Sequence, residues 1–278
     1  MFDRKEIKSR AKLVLANSYF MTFIACMIVS VVSSGGINFG MRRAQTINFT
    51  AMSNLRVAAT CAVLALMMIV ALLFFIFLVS PLNVGLKKFL LSSQDGDMNL
   101  NHLIYPFKNE YKNIVITQFM RKLIIFLWSL PAMIPWIIGI WKFDLIEHIQ
   151  KLTFQVMNES VSAMFNLTLV MMLMFLLTAV FSIPSLIKEL QYSLTEYILA
   201  EEPDAPWRDV LARSKELMVG NKWAYVKLLF SFAGWYFAAN LFCCIGNYLL
   251  TPYIAASITQ MYLELCGRGK NSTQSQVF

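Results

Sequence analysis

The residues that most often carry out chemistry in proteins are scarce and scattered in this sequence. The two histidines, His102 and His148, lie far apart, and none of the five cysteines forms a C-x-x-C pair or a Cys/His pair at metal-binding spacing. The phosphate-binding pattern G-x-x-x-x-G-K-[ST] and the zinc-protease pattern H-E-x-x-H are both missing. The sequence therefore predicts no catalytic residue, no metal site and no cofactor, and it argues against an ATPase, a metalloprotease and a triad hydrolase.

One acidic segment resembles a calcium-binding loop only at its start. Asp95, Asp97 and Asn99 alternate as the first ligands of such a loop do. The glycine, however, is the second residue of the segment instead of the sixth, and Pro106 stands at the twelfth position, where calcium needs a bidentate Glu. A solvated turn is the better interpretation.

Two prolines four residues apart suggest a broken helix that could form a site. Pro131 and Pro135 lie inside an apolar stretch, where each proline removes a backbone N–H and frees a carbonyl group. Broken helices of this kind often line substrate sites in transporters. Most intramembrane prolines only kink a helix, so the sequence leaves both interpretations open.

The composition indicates the environment in which such residues must be held. Of the 278 residues, 58% are hydrophobic and only 14% are charged, against roughly 45–50% and about 25% in ordinary soluble domains. A soluble fold of this length has too much surface to hide that apolar excess. We therefore predict an all-α, polytopic transmembrane helical bundle with amphipathic cytoplasmic helices.

Six apolar stretches are candidates for helices that cross a hydrocarbon core about 30 Å thick, which takes about 20 residues each. The predicted spans are 19–37, 58–80, 123–141, 167–187, 224–242 and 247–263. The sixth is short and is interrupted by Pro252, so five spans with a re-entrant segment is the alternative. We expect one membrane domain over 1–265, followed by a polar C-terminal tail over 266–278.

The distribution of Lys and Arg predicts the orientation of this bundle. With the N-terminus inside, 19 of the 24 basic residues lie in inner segments and five lie in outer loops, as the positive-inside rule requires. We expect a multi-pass protein of the bacterial cytoplasmic membrane with both termini inside. The net charge of +8 is explained by this bias, so no nucleic-acid partner is expected.

Four segments outside the spans continue an apolar helical stripe, namely 2–18, 82–91, 185–200 and 204–220. In the first, one face carries the apolar side chains of Ile7, Ala11, Val14 and Leu15, and the basic residues lie elsewhere. A basic amphipathic helix beside a membrane span usually lies on the anionic inner leaflet. Docking of a partner protein is the alternative.

The segment 204–220 has clear helix start and stop signals. Asp204 is a candidate N-cap with Pro206 in the first turn, and Gly220 fits the C-terminal stop. The predicted apolar face holds Trp207, Val210, Leu211, Ser214, Leu217 and Met218. We expect this helix to lie on lipid or to close the inner mouth of the bundle.

The C-terminal half carries a recognisable order of short motifs. The residues from Tyr192 through Tyr197 to Leu199 follow Y-x-L-x-x-Y-I-L, those from Ser214 to Lys222 follow S-x-x-L-M-x-G-x-K, and S-F-x-G-W and P-Y follow. This chain resembles an uncharacterised family of bacterial integral membrane proteins, a domain-of-unknown-function family. It is distantly similar to the membrane domain of some glycerophosphodiester phosphodiesterases. Neither resemblance implies a catalytic residue.

The motif residues are the candidate functional positions, and each also has a structural interpretation as a cap, a helix stop, a close packing contact, an interfacial aromatic residue or a kink. These positions are Pro184, Tyr192, Tyr197, Ser214, Gly220, Lys222, Gly234, Trp235, Pro252 and Tyr253, with Pro131 and Pro135 as a separate broken-helix site.

Three functions are compatible with these features. The first is a non-enzymatic scaffold, accessory subunit or immunity and stress factor, with the lipid bilayer, anionic inner-leaflet lipid, a membrane protein or a second copy of the chain as partner. The second is a module that transports or flips lipids or small solutes. An intramembrane enzyme built from Ser, Tyr and Lys is the third.

Overall fold

The computed structural model describes residues 4–44, 54–142, 161–241 and 245–268. Every regular element in these residues is helical, which confirms the all-α class. The helices are α1 (Arg4–Ala44), α2 (Asn54–Phe74), α3 (Ser80–Ser92), α4 (Tyr105–Lys108), α5 (Tyr111–Ser129), α6 (Ile134–Lys142), α7 (Val161–Gln191), α8 (Thr195–Glu201), α9 (Trp207–Leu217), α10 (Lys222–Phe230), α11 (Ala233–Leu241) and α12 (Ile245–Leu265).

Among the described residues, three helical segments are long and apolar enough to cross a membrane. They are Ala62–Asp95, Tyr111–Gly139 and Thr168–Glu201. A fourth is possible if the two halves of α1, which are bent by 96° between Arg4–Ala16 and Ser18–Ser33, are counted as one span. These helices indicate a membrane protein, but they are fewer than the six spans predicted from the sequence.

The fifth and sixth predicted spans do not reach the length and hydropathy of the others. The fifth is divided by a turn at Ser231 and Phe232 into α10 and α11. Each of these has nine residues and is therefore only about 14 Å long. The sixth, α12, is long enough with 21 residues. Its side chains are less apolar, however, because they include Asn247, Thr259 and Gln260.

The chain divides into two compact units. The first comprises Met1–Phe119 with Ser193–Phe278, and the second comprises Met120–Tyr192. In the second unit Trp136 packs edge-on against Phe175, with 5.5 Å between ring centroids. A single membrane domain over 1–265 stays a prediction.

The apolar face of α1 packs against the first unit itself. Ile7 is fully buried in a cluster with Leu228 and Phe232, and Ala11 and Leu15 pack with residues of α12. Ile7, Ala11, Val14 and Leu15 are all buried, and the described neighbours of this face are protein side chains. Contact of the helix with the inner leaflet stays a prediction. The bend that follows coincides with Ser18, whose hydroxyl donates to the carbonyl of Val14, a bond that often bends helices.

Helix α9 begins later than the sequence predicted. Its N-cap is Pro206, with no side-chain capping bond, so the prediction of Asp204 as N-cap is wrong. A contact from a distant part of the chain helps to hold the preceding loop, because the side-chain amide of Asn113 donates to the carbonyls of Pro203 and Ala205 at 2.6 and 2.8 Å. The predicted inner face of the helix is buried at Val210, Leu211, Ser214 and Met218.

Candidate functional site

The motif positions of the second unit lie in different helices and turns of that unit. Pro184 lies inside α7, which continues past it without a break, and Tyr192 is buried in the turn that follows. Pro131 lies in a short 3-10 helix, Leu130–Met133, that separates α5 from α6. Pro135 is buried in the first turn of α6. The third apolar stretch therefore changes to 3-10 geometry at Pro131 but remains one continuous helical segment over Tyr111–Gly139. A broken-helix site there stays a prediction.

Three motif positions mark the ends and the inner face of α9. Ser214 is completely buried on that face. Gly220 has a φ of 75°, the left-handed conformation that commonly ends a helix and that glycine adopts without strain. Lys222 is the first residue of α10. These placements suit the structural roles of a packed face and a helix stop.

Close packing at a glycine occurs at positions that the sequence did not single out as packing sites. A Cβ at Gly234 would meet no described atom within 4 Å, so the prediction of close packing there is wrong. A Cβ at Gly246 would lie 2.8 Å from the backbone of Ala239, and one at Gly85 would collide with the backbone of Leu103. Pro252 is buried inside α12, which continues through it.

Trp235 and Tyr253, by contrast, are brought together. They line one groove of about 560 Å³ between α1, α11 and α12. We call it the basic groove; its other lining residues are Lys5, Lys8, Ser9, Lys12, Leu249 and Leu250. Lys8 and Lys12 were assigned to the polar side of the N-terminal helix, but their proximity to the two motif aromatics could not be seen in the sequence.

Tyr197, another motif position, lies in an aromatic pair at the centre of the first unit. Its ring stacks on that of Tyr262 at 5.0 Å, and its hydroxyl is 3.3 Å from that of Thr259. The ammonium of Lys87 stands 5.1 Å from the centroid of the Tyr197 ring and 3.9 Å from the carboxylate of Glu196. The ammonium of Lys87 on α3 therefore contacts two residues of α8, the ring of Tyr197 and the carboxylate of Glu196.

Glu201, at the end of α8, connects this aromatic pair to the surface. The hydroxyl of Tyr262 donates to Glu201 Oε2 at 2.6 Å, and Arg268 donates to both carboxylate oxygens at 2.6 and 2.7 Å. Charge-assisted bonds of this kind are about twice as strong as neutral ones. They fasten the residues beyond α12 to the end of α8.

A second ion pair lies beside the first. Arg213 of α9 donates to Glu202 at 2.6 Å, and this hydrogen bond raises the pKa of the guanidinium. The two pairs surround a pocket of about 680 Å³, here called the charged pocket. Its lining residues are Lys88, Glu201, Glu202, Arg213, Leu217, Leu265, Cys266 and Arg268. None of the charged residues was a predicted site position.

The acidic segment after α3 forms a turn, as expected. Gly96 has a φ of 85°, and the exposed carboxylate of Asp97 lies 2.7 Å from Nε2 of His102. This hydrogen bond lowers the pKa of Asp97. Across the described part of the chain, no three His, Cys, Asp or Glu side chains are grouped as metal ligands would be. His148 lies outside that part.

The comparisons with known proteins agree with the family resemblance. No curated protein and no solved structure matches the chain. The model of the family "Protein of unknown function (DUF975)" matches residues 1–269. The match covers nearly the whole sequence, so this chain belongs to that family of proteins of unknown function.

Proposed function

We propose that this chain is a non-enzymatic, multi-pass protein of the cytoplasmic membrane that acts as a scaffold or accessory subunit for another membrane protein. In this proposal the chain has six spans with both termini inside, and α8, α9 and the end of α12 form its cytoplasmic docking face. The observation that carries the proposal is the charged pocket, which presents both signs of charge on a firmly packed base.

The helices beneath this pocket are packed firmly enough to present a fixed surface to a partner. One hydrophobic cluster buries Val210 of α9, Met218 just after α9, Tyr197 and Ile198 of α8, and Tyr262 of α12. The rim residues Arg213 and Glu202 are about half exposed, and their mutual attraction is screened by water. Each of them can therefore leave the other and pair with a charge on a partner protein at little cost in free energy. The buried cluster keeps the helices in place meanwhile.

Site-specific photo-crosslinking in native membranes tests the docking face. A photoreactive residue at Arg213 should give one crosslinked product of reproducible mass, and the same residue at Arg208 provides the control. Arg208 is also exposed on α9 but does not line the charged pocket. Recovery of the uncrosslinked chain alone from both variants, in repeated preparations, would overturn the proposal.

A reversal of the ion pair adds a second readout. For this arm the photoreactive residue is placed at Leu217, which also lines the charged pocket. If the rim contacts the partner, Arg213→Glu with Glu202→Arg should keep the internal pair and the fold but lose the product crosslinked from Leu217. A product that survives this exchange would place the docking face elsewhere. A product twice the mass of the chain would instead identify a second copy as the partner.

The broken third apolar stretch favours a second function, the movement of a lipid or a neutral solute. The 3-10 segment at Leu130–Met133 interrupts the helix at the depth where a span is predicted, and breaks of this kind free backbone groups for a substrate. Proteoliposomes that contain the chain should scramble lipid or take up solute, and Pro131→Ala with Pro135→Ala should reduce the rate. Failure across a panel of lipids and solutes would argue against transport.

A further inference from the structure

We propose that the basic groove is a discrete binding site for one anionic phospholipid molecule, whose headgroup phosphate is held by Lys5, Lys8 and Lys12. This inference does not depend on the scaffold function or on its docking face. It rests on the lining of the groove, where cations and aromatic and aliphatic side chains from distant parts of the sequence meet.

The cationic wall of the groove comes from about two turns of α1. Lys5, Lys8, Ser9 and Lys12 follow the i, i+3, i+4, i+7 spacing, so they project from one side of the helix. The described residues that line the groove include three ammonium groups and no carboxylate. Lys8 and Lys12 lie four residues apart on one side of the helix and repel each other, and an anion in the groove would relieve that repulsion.

One of these ammonium groups is positioned by the protein. Lys8 Nζ donates to the carbonyl of Ser231 at 3.2 Å and stands 4.1 Å from the centroid of the Phe232 ring. Both contacts are made to the turn between α10 and α11. Since an ammonium has three donors, the carbonyl uses one and two are left for phosphate oxygens. Lys12 Nζ lies 5.9 Å from the centroid of the Tyr253 ring.

The opposite wall is suited to the less polar part of a lipid. Leu249, Leu250 and Tyr253 of α12 and Trp235 of α11 line it. Trp235 is 63% exposed, so its ring is accessible to a lipid in the groove. The hydroxyl of Tyr19 donates to the carbonyl of Leu249 at 2.9 Å and ties α12 to α1 at this point. The groove therefore has a cationic side for a phosphate and an apolar side for the start of an acyl chain.

The chemistry selects an anionic phospholipid over other ligands. A zwitterionic headgroup carries its own cation, which three lysines would repel. A free phosphate would use the lysines but leave the Trp235 and Leu249 wall without a partner. The volume of about 560 Å³ is within the usual range for sites that enclose small organic molecules.

Native mass spectrometry of the full chain in detergent tests the site with phosphatidylglycerol as the probe. The unmodified chain should bind one molecule at least tenfold more tightly than it binds phosphatidylcholine. Lys8→Gln with Lys12→Gln should reduce that affinity at least tenfold. Lys108→Gln with Lys112→Gln removes the same charge from exposed positions outside the groove and should change the affinity less than twofold.

Additional controls distinguish lipid binding from phosphate binding, general electrostatic attraction and misfolding. Inorganic phosphate at millimolar concentration should not displace the lipid, whereas displacement would mean that the groove recognises phosphate alone. Equal losses in the two double variants would reduce the effect to general electrostatics and overturn the proposal. Because Lys8 also contacts Phe232, the single variant Lys12→Gln, with helix content checked by circular dichroism, guards against a loss caused by misfolding. A folded Lys12→Gln chain that binds phosphatidylglycerol normally would also contradict the site.

Discussion

At the scale of single residues, the same Gly→Ala substitution should affect the stability of the fold differently at two positions. In Gly85→Ala the new Cβ would collide with the backbone of Leu103, which cannot move without shifting the 3-10 helix Leu100–Leu103. We expect a loss of about 1–3 kcal/mol in the free energy of unfolding. In Gly234→Ala the Cβ meets no described atom, and Ala is favoured by about 1 kcal/mol inside a helix. That variant should be unchanged or slightly more stable.

Reversible unfolding in mixed detergent micelles measures both glycine variants. The difference between them is the diagnostic quantity, because both add the same atom. Equal stabilities would mean that the close approach at Gly85 is absent in the folded protein.

The contact between Asp97 and His102 predicts a local dependence on pH. The hydrogen bond from His102, followed by its charge and the backbone N–H of Asn99, lowers the pKa of Asp97 below its ordinary value. A carboxylate with a depressed pKa stabilises the fold at pH values above its unfolded pKa. This contribution is lost as the pH falls through the folded pKa.

Carboxyl chemical shifts from NMR in detergent follow this titration directly. The pKa of Asp97 should lie below the ordinary value of an aspartate, and His102→Ala should move its titration midpoint upward towards that ordinary value. An Asp97 midpoint that does not respond to His102→Ala would contradict the contact.

At the scale of an element, a hydrogen bond from Tyr111 compensates for Pro81, which follows the π-helical turn Phe75–Val79. Proline lacks the N–H that would bond the carbonyl four residues earlier, which belongs to Phe77. The hydroxyl of Tyr111 donates to that carbonyl at 2.7 Å. Tyr111→Phe should therefore lower the free energy of unfolding by about 1 kcal/mol.

A double-mutant cycle isolates this hydrogen bond. Pro81→Ala restores an N–H to the helix, so Tyr111→Phe should have a smaller effect in that background. Tyr105→Phe is the matched control, because its ring lies beside Lys88 and the substitution should cost less than about 0.5 kcal/mol. If Tyr111→Phe has the same effect with and without Pro81, the hydroxyl does not replace the missing donor.

The helices show which features of an element are readable from sequence. The buried face of α9 follows from its 3.6-residue period, because spacing within a helix is a local property. The apolar face of α1 was equally readable, but the surface that covers it was not. An apolar stripe has the same pattern whether it faces lipid or Leu228 and Phe232. The N-cap at Pro206 was missed because Asn113, distant in sequence, helps to hold the preceding loop.

At the scale of the whole molecule, the candidate sites were predictable only in part. Motif comparison singled out Tyr197, Trp235 and Tyr253, each of which lies in a cluster of charged and aromatic groups. Their charged neighbours were not singled out, because Lys87 and Arg268 approach Tyr197 and Glu201 only through the packing of helices from distant parts of the chain. Residue type and spacing carry no information about such pairings.

The distribution of basic residues predicts, for the whole chain, which loops lie on each side of the membrane. Cysteine residues introduced into a variant without the five native ones can be labelled with a membrane-impermeant maleimide in intact cells. Each substitution keeps all Lys and Arg, so the 19 to 5 bias that sets the orientation is preserved. Gln45→Cys and Gln155→Cys should be labelled in intact cells, and Asn109→Cys and Ala212→Cys only after the membrane is opened. Ser272→Cys decides the number of spans. Protection of this cysteine from the label in intact cells requires an even number of spans, as in the six-span layout. Labelling of Ser272→Cys while Asn109→Cys stays protected requires that α12 does not complete a crossing.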